Sequence, residues 1–154
     1  MHLFEENIKN LDLTIPELPS PVANYVPFKI IDNVMYVSGQ APIKDSKLIY
    51  QGKVGLDISV EDGIKAAKLC CINIIANLKK GIDSDWNRLD NFIKLAGFVN
   101  CNSDFTDQPK IINGASDLLV DIFGDQGRHT RVAVGSNALP LGIAVEIDAI
   151  IKLK

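Results

Sequence analysis

The chain has 154 residues, enough for one ordinary domain and too few for two full cores. Its 47% hydrophobic and 23% charged residues, with a net charge of 16 − 19 = −3, exclude a mainly disordered chain. The uncharged run of its helical pattern, Leu69 to Leu78, is half of a bilayer span, and the acidic balance argues against a nucleic-acid partner.

Residues 3–10 read as a short helix with Leu3, Phe4 and Ile8 on one side. No cationic start followed by an apolar stretch marks a signal peptide there. Pro16, Pro19 and Pro21 then break regular structure, so residues 1–21 form an N-terminal arm over a single domain spanning 22–154. Residues 26–32 and 34–39 read as strands joined at Asp32-Asn33. Pro42 to Lys47 reads as a polar loop, with a short strand over 48–50.

Ser59 suits the N-cap of a long helix, and Glu61 and Asp62 place negative charge in its first turn. Val60, Ile64, Ala67, Cys71, Ile74 and Leu78 form its apolar stripe, and Gly81 stops it. Residues 89–100 read as a strand with Leu89, Ile93, Leu95 and Val99 on one face and Phe92 and Phe98 on the other. A second helix runs from Pro109 to Phe123, with Gly124 ending it. Residues 131–136 are a short strand. In the final strand Ile143, Val145, Ile147, Ala149, Ile151 and Leu153 alternate with Ala144, Glu146, Asp148, Ile150 and Lys152.

This order predicts an α+β fold, one mixed sheet with two helices packed on one face. The half-apolar second face of the last strand calls for cover by other subunits. Cys70, Cys71 and Cys101 are odd in number and lack metal-type spacing, which fits buried thiols in a reducing cytoplasm.

Three residues carry candidate chemistry. Arg131 enters an apolar strand, where a guanidinium is costly unless it meets an anion, and its planar fork suits a carboxylate. The alternative is an internal ion pair with Glu146, Asp148 or the C-terminal carboxylate. Glu146 is placed to orient or deprotonate a water, or to form an interface ion pair. His129, two residues before Arg131, is placed to polarise a ligand or to serve only as a capping group.

The segments S-G-Q-A-P (Ser38 to Pro42), V-G-L-D-I-S (Val54 to Ser59), G-F-V-N (Gly97 to Asn100) and A-L-P-L-G-I-A-V-E-I (Ala138 to Ile147) occur in this order. Together they closely resemble the YjgF/Rid family, also labelled L-PSP endoribonucleases, over about residues 22–153. The G-D-x-G-x-H-x-R stretch and the arm resemble its longer, poorly characterised branch. The resemblance implies a chorismate-mutase-like sheet, a homotrimer with a barrel-like core, and a cleft at each subunit interface. It implies hydrolysis of enamine and imine intermediates such as 2-aminoacrylate to 2-keto acids and ammonia, without metal or organic cofactor. By the same resemblance Arg131 binds the substrate carboxylate, Glu146 helps position the attacking water, and Tyr25, Ser38 and Asn113 line the pocket, while His129, an addition of this branch, is a further candidate substrate-binding residue. Ala133 stands where characterised members commonly carry a cysteine. The alternatives are a trimeric 2-keto acid-binding module without turnover and, from the older label, a ribonuclease, which lacks the basic stripe it would need.

Overall fold

The strict alternation of the last strand places the core. In β7 (Val145–Leu153) the odd-numbered residues face two helices, and Val145, Ile147, Ala149, Ile151 and Leu153 are each at most 1% exposed. The structure is a computed structural model that describes residues 1–18 and 24–154. Pro19, Pro21 and the expected arm–domain boundary at 21/22 lie outside the described residues.

β7 is central in a five-stranded sheet of order β1-β2-β7-β5-β6, with β1 at Phe28–Ile31, β2 at Val34–Gln40, β5 at Leu89–Asn100 and β6 at Thr130–Ser136. Only β5 and β6 run parallel, so the sheet is mixed as the sequence predicts. Asp32 and Asn33 join β1 to β2 with φ of 50° and 59°, the left-handed pair that a type I′ hairpin turn demands. The segment read as a polar loop is instead a small hairpin, β3 (Ile43–Lys44) with β4 (Lys47–Leu48). Asp45 and Ser46 form its turn at φ 51° and 62°, a signal hidden because neither residue is glycine.

Two long helices, α2 (Val60–Gly81) and α3 (Gln108–Phe123), cover the odd-numbered face of β7. The Ser59 side chain accepts from the Asp62 backbone N–H at 3.1 Å, capping α2 as its residue type predicts. Ser59→Ala is expected to cost about 1 kcal/mol, lowering Tm by roughly 2–4 °C in a thermal melt. α1 (Leu3–Asn10) packs Phe4 and Ile8 against this layer, with the Phe4 and Phe123 ring centroids 5.0 Å apart.

In β5 the expected alternation fails. Pairing with β7 slips between Leu89 and Asn91 and again between Phe92 and Lys94. These bulges turn Phe92 inward, 5.1 Å from the Phe123 ring, and leave Ile93 39% exposed. Cys70, Cys71 and Cys101 are buried and unbridged. Burial pushes the Cys70 and Cys71 thiols far up, holding both protonated. Among the described residues no helix is long and apolar enough to cross a membrane.

Candidate functional site

Two elements bring three predicted residues together at one edge of the sheet. β6 is an edge strand, and alternation sends Arg131 and Ala133 to the helix side and Val132 and Val134 to the open side. The Arg131 side chain therefore reaches along the flank of α3. Its Nη1 donates to Asn113 Oδ1 at 2.8 Å and to Ser116 Oγ at 3.1 Å, and its Nη2 donates to the Pro109 carbonyl at 3.3 Å. Every one of these acceptors is uncharged, and among the described residues no carboxylate lies within ion-pair distance of Arg131. The internal ion pair that the sequence left open is not formed. The Nε–H and one Nη2–H have no acceptor among the described residues, so the cation keeps its charge and two donors.

His129 stands directly behind Arg131. Its Nδ1 lies 2.7 Å from the Gly127 carbonyl and its Nε2 lies 2.8 Å from Ser116 Oγ. A carbonyl only accepts, so Nδ1 carries the hydrogen. With the ring neutral, Nε2 accepts from the Ser116 hydroxyl while Ser116 Oγ accepts from Arg131. Both ring nitrogens are thus used within the chain. Ser116 is the residue that sequence reasoning missed. Its signal was its position three residues after Asn113, on one helix flank.

Glu146 is elsewhere. It projects from the even-numbered, open face of β7 in register with Phe98, whereas Arg131 lies level with Leu95 and Ala149 on the helix side. The carboxylate rests against Gly39, where an added Cβ would come within 2.6 Å of Oε1. Partial burial raises the Glu146 pKa above its ordinary value of 4.5, and the Asp148 charge raises it further. Burial also raises Asp148, with Lys94 pulling the other way.

These raised values mean that the folded chain holds protons more tightly than the unfolded one. The corresponding stability is fully present below the ordinary carboxylate range and is lost as pH rises through the raised values. Glu146→Gln is therefore expected to stabilise the chain at pH 7 and to flatten the pH dependence of Tm above pH 4.5. Because the carboxyl is only partly buried and stays open to solvent screening, the gain is under about 1 kcal/mol. Tm measured against pH for both proteins checks this.

Tyr25 and Ser38 lie at the opposite edge of the sheet. Tyr25 is 67% exposed just before β1, and the Ser38 hydroxyl donates to the Val26 carbonyl at 2.7 Å. Strands β7 and β5 separate β2 from β6, so Ser38 stands three strand spacings from Arg131, about 14 Å. One chain thus carries Arg131, Asn113 and His129 at one edge, Tyr25 and Ser38 at the other, and Glu146 on the open face between. That open face also presents Tyr36, Val132 and Val134, each more than 40% exposed.

Comparison with known proteins adds four findings. Residues 5–150 match the family model described as "YjgF/chorismate mutase-like, putative endoribonuclease". Protein TCP17 of Trypanosoma cruzi is 36% identical over 148 residues, 96% of this chain and 92% of that protein. The crystal structure of Atu1372 from Agrobacterium tumefaciens, a protein of unknown function, is 42% identical with a TM-score of 0.92, covering 99% of this chain and 94% of that one. Escherichia coli TdcF, solved with bound serine, shares the fold at a TM-score of 0.62 and 20% identity, covering 87% of this chain and 91% of that one.

Proposed function

The chain belongs to the YjgF/chorismate-mutase-like family, and we propose that it hydrolyses enamine and imine intermediates of the 2-aminoacrylate type to 2-keto acids and ammonia. The observation that carries this reading is the Arg131 guanidinium, held by three neutral acceptors and left unneutralised. A substrate carboxylate docks on its remaining Nε–H and Nη2–H donors, a charge-assisted contact of the strong class. TdcF with bound serine is a related fold that holds a small carboxylate-bearing molecule.

The cleft lies between copies of a homotrimer. Within one chain Tyr25, Ser38 and Glu146 cannot reach Arg131, and a neighbouring copy supplies the missing wall. The exposed Tyr36, Val132 and Val134 give the open sheet face an apolar surface for that neighbour. In the cleft, Asn113 and His129 support the arginine, and Tyr25 and Ser38 line the wall.

Protonation of the enamine carbon gives an iminium ion. A water held by Glu146 adds to C2, its proton passes to the departing nitrogen, and ammonia leaves as the carbonyl forms. Overall, 2-aminoacrylate and water give pyruvate and ammonia. Burial and the Asp148 charge raise the proton affinity of Glu146, which favours its carboxyl taking up a proton and returning it. This chemistry calls for no metal or organic cofactor, since an imine already hydrolyses in water and positioning supplies the acceleration. We place the protein in the cytoplasm, where its three free thiols stay reduced.

The separation of Arg131 from Glu146 within a chain favours a second reading, a trimeric module that binds 2-keto acids without turnover. One assay separates the two. An amino-acid oxidase generates 2-imino acids in situ, and keto acid release is followed with and without the protein. Acceleration that disappears in Arg131→Ala supports the hydrolase. Binding of 2-oxobutyrate without acceleration supports the module, and neither effect removes both readings.

A further inference from the structure

We infer that Ser116 and His129 form a positioning relay that aims the Arg131 guanidinium at its ligand without neutralising it. The inference rests on the carboxylate-binding reading of Arg131 and deepens it by assigning roles to Ser116 and His129.

The hydrogen-bond directions admit one arrangement for a neutral ring. Arg131 Nη1 donates to Ser116 Oγ at 3.1 Å, the Ser116 hydroxyl donates to His129 Nε2 at 2.8 Å, and Nδ1–H donates to the Gly127 carbonyl at 2.7 Å. Each group uses its donor on the next acceptor, so all four are satisfied at once. Such a chain polarises along its length and resists rotation of any one member.

Its far end is fixed by packing. Gly127 is buried in the turn after α3, and a Cβ there would fall 2.1 Å from the Leu119 carbonyl oxygen. The turn therefore lies hard against α3 and holds the Gly127 carbonyl still. Its near end shares the guanidinium with Asn113 and Pro109, also on α3. Arg131 on β6 is thereby clamped to one helix at three points.

The choice of neutral partners gives the relay its use. A carboxylate at position 116 would fix the guanidinium equally well and cancel its charge. A serine backed by a neutral histidine fixes it and leaves the charge for an incoming anion. Because Nη1 is fully occupied, the ligand meets Nε and Nη2, two donors suited to one planar carboxylate. Ser116 and His129 act through Arg131 and do not touch the ligand.

The test combines binding with nitrogen spectroscopy on the full chain. Affinity for 2-oxobutyrate is measured by calorimetry for Ser116→Ala, Ser116→Thr, His129→Leu and His129→Gln, with a melt of each. Ser116→Ala and His129→Leu are expected to weaken binding about tenfold, the effect of losing one oriented hydrogen bond. Ser116→Thr keeps the hydroxyl, and His129→Gln keeps one donor and one acceptor. Both are expected to stay within about threefold of the parent. Long-range 15N–1H spectra of the parent are expected to show His129 as the Nδ1–H tautomer, and its Nε2 signal to move in Ser116→Ala.

Parent-like affinity in both Ser116→Ala and His129→Leu, or an Nε2–H tautomer in the parent, overturns the relay. If the parent binds no 2-oxo acid, the carboxylate reading fails instead. The relay is then judged by the tautomer and by whether the Arg131 Nη1 protons, hydrogen-bonded to Asn113 and Ser116 in the parent, exchange faster in Ser116→Ala.

Discussion

Arg131→Ala is expected to weaken 2-oxobutyrate binding by roughly 100-fold, about 2.7 kcal/mol, and to remove any acceleration of imine hydrolysis. The substitution deletes both remaining donors and the charge that no carboxylate of the described chain offsets. Arg131→Lys keeps a positive charge but cannot span Asn113, Ser116 and Pro109 with a planar fork. Its binding is expected to fall between parent and alanine, about tenfold below parent. Stability should hardly change in Arg131→Ala, because Ser116 and His129 still satisfy each other at 2.8 Å. A Tm within about 3 °C of the parent, alongside lost binding, separates a ligand contact from a structural one. Binding that survives in Arg131→Ala would move the ligand site away from β6 altogether.

That expectation began in the sequence, where an arginine leads an apolar strand. The sequence showed a charge needing a partner, and it could not show which face of β6 carries the side chain. The structure puts Arg131 on the helix side, among neutral acceptors, and Glu146 on the open side. Face assignment comes from strand order and register, which are long-range properties. Period-two alternation sufficed for β7, where pairing with β5 is regular from Lys94 to Val99. It failed for Ile93 and Phe92, because bulges reset which side is inward. The β3–β4 hairpin was hidden for a local reason: Asp45 and Ser46 take the left-handed conformation without glycine. Ser116 was invisible because a serine on a helix flank has no periodicity of its own. It acquires meaning only once β6 lies beside α3.

The second large effect is expected at Gly114, a site of contact between backbones. On α3, a Cβ at position 114 would fall 2.2 Å from the Ile64 carbonyl oxygen of α2. Backbone atoms do not swing aside as a side-chain end does, so Gly114→Ala must push α2 and α3 apart. Alanine favours the helix itself by about 1 kcal/mol over glycine. Overpacking against backbone outweighs that gain, and the net loss is expected to be about 3 kcal/mol, a fall in Tm of roughly 6–12 °C. The consequence reaches the site, because Asn113 precedes Gly114 and Ser116 follows two residues later, and both hold Arg131. Moving α3 away from α2 shifts these acceptors relative to β6, so 2-oxobutyrate affinity should fall in the protein that remains folded. A parent-like Tm in Gly114→Ala would show that the two helices can separate at little cost. The clamp on Arg131 would then be looser than its three contacts imply, since the helix supplying all three acceptors would not itself be fixed.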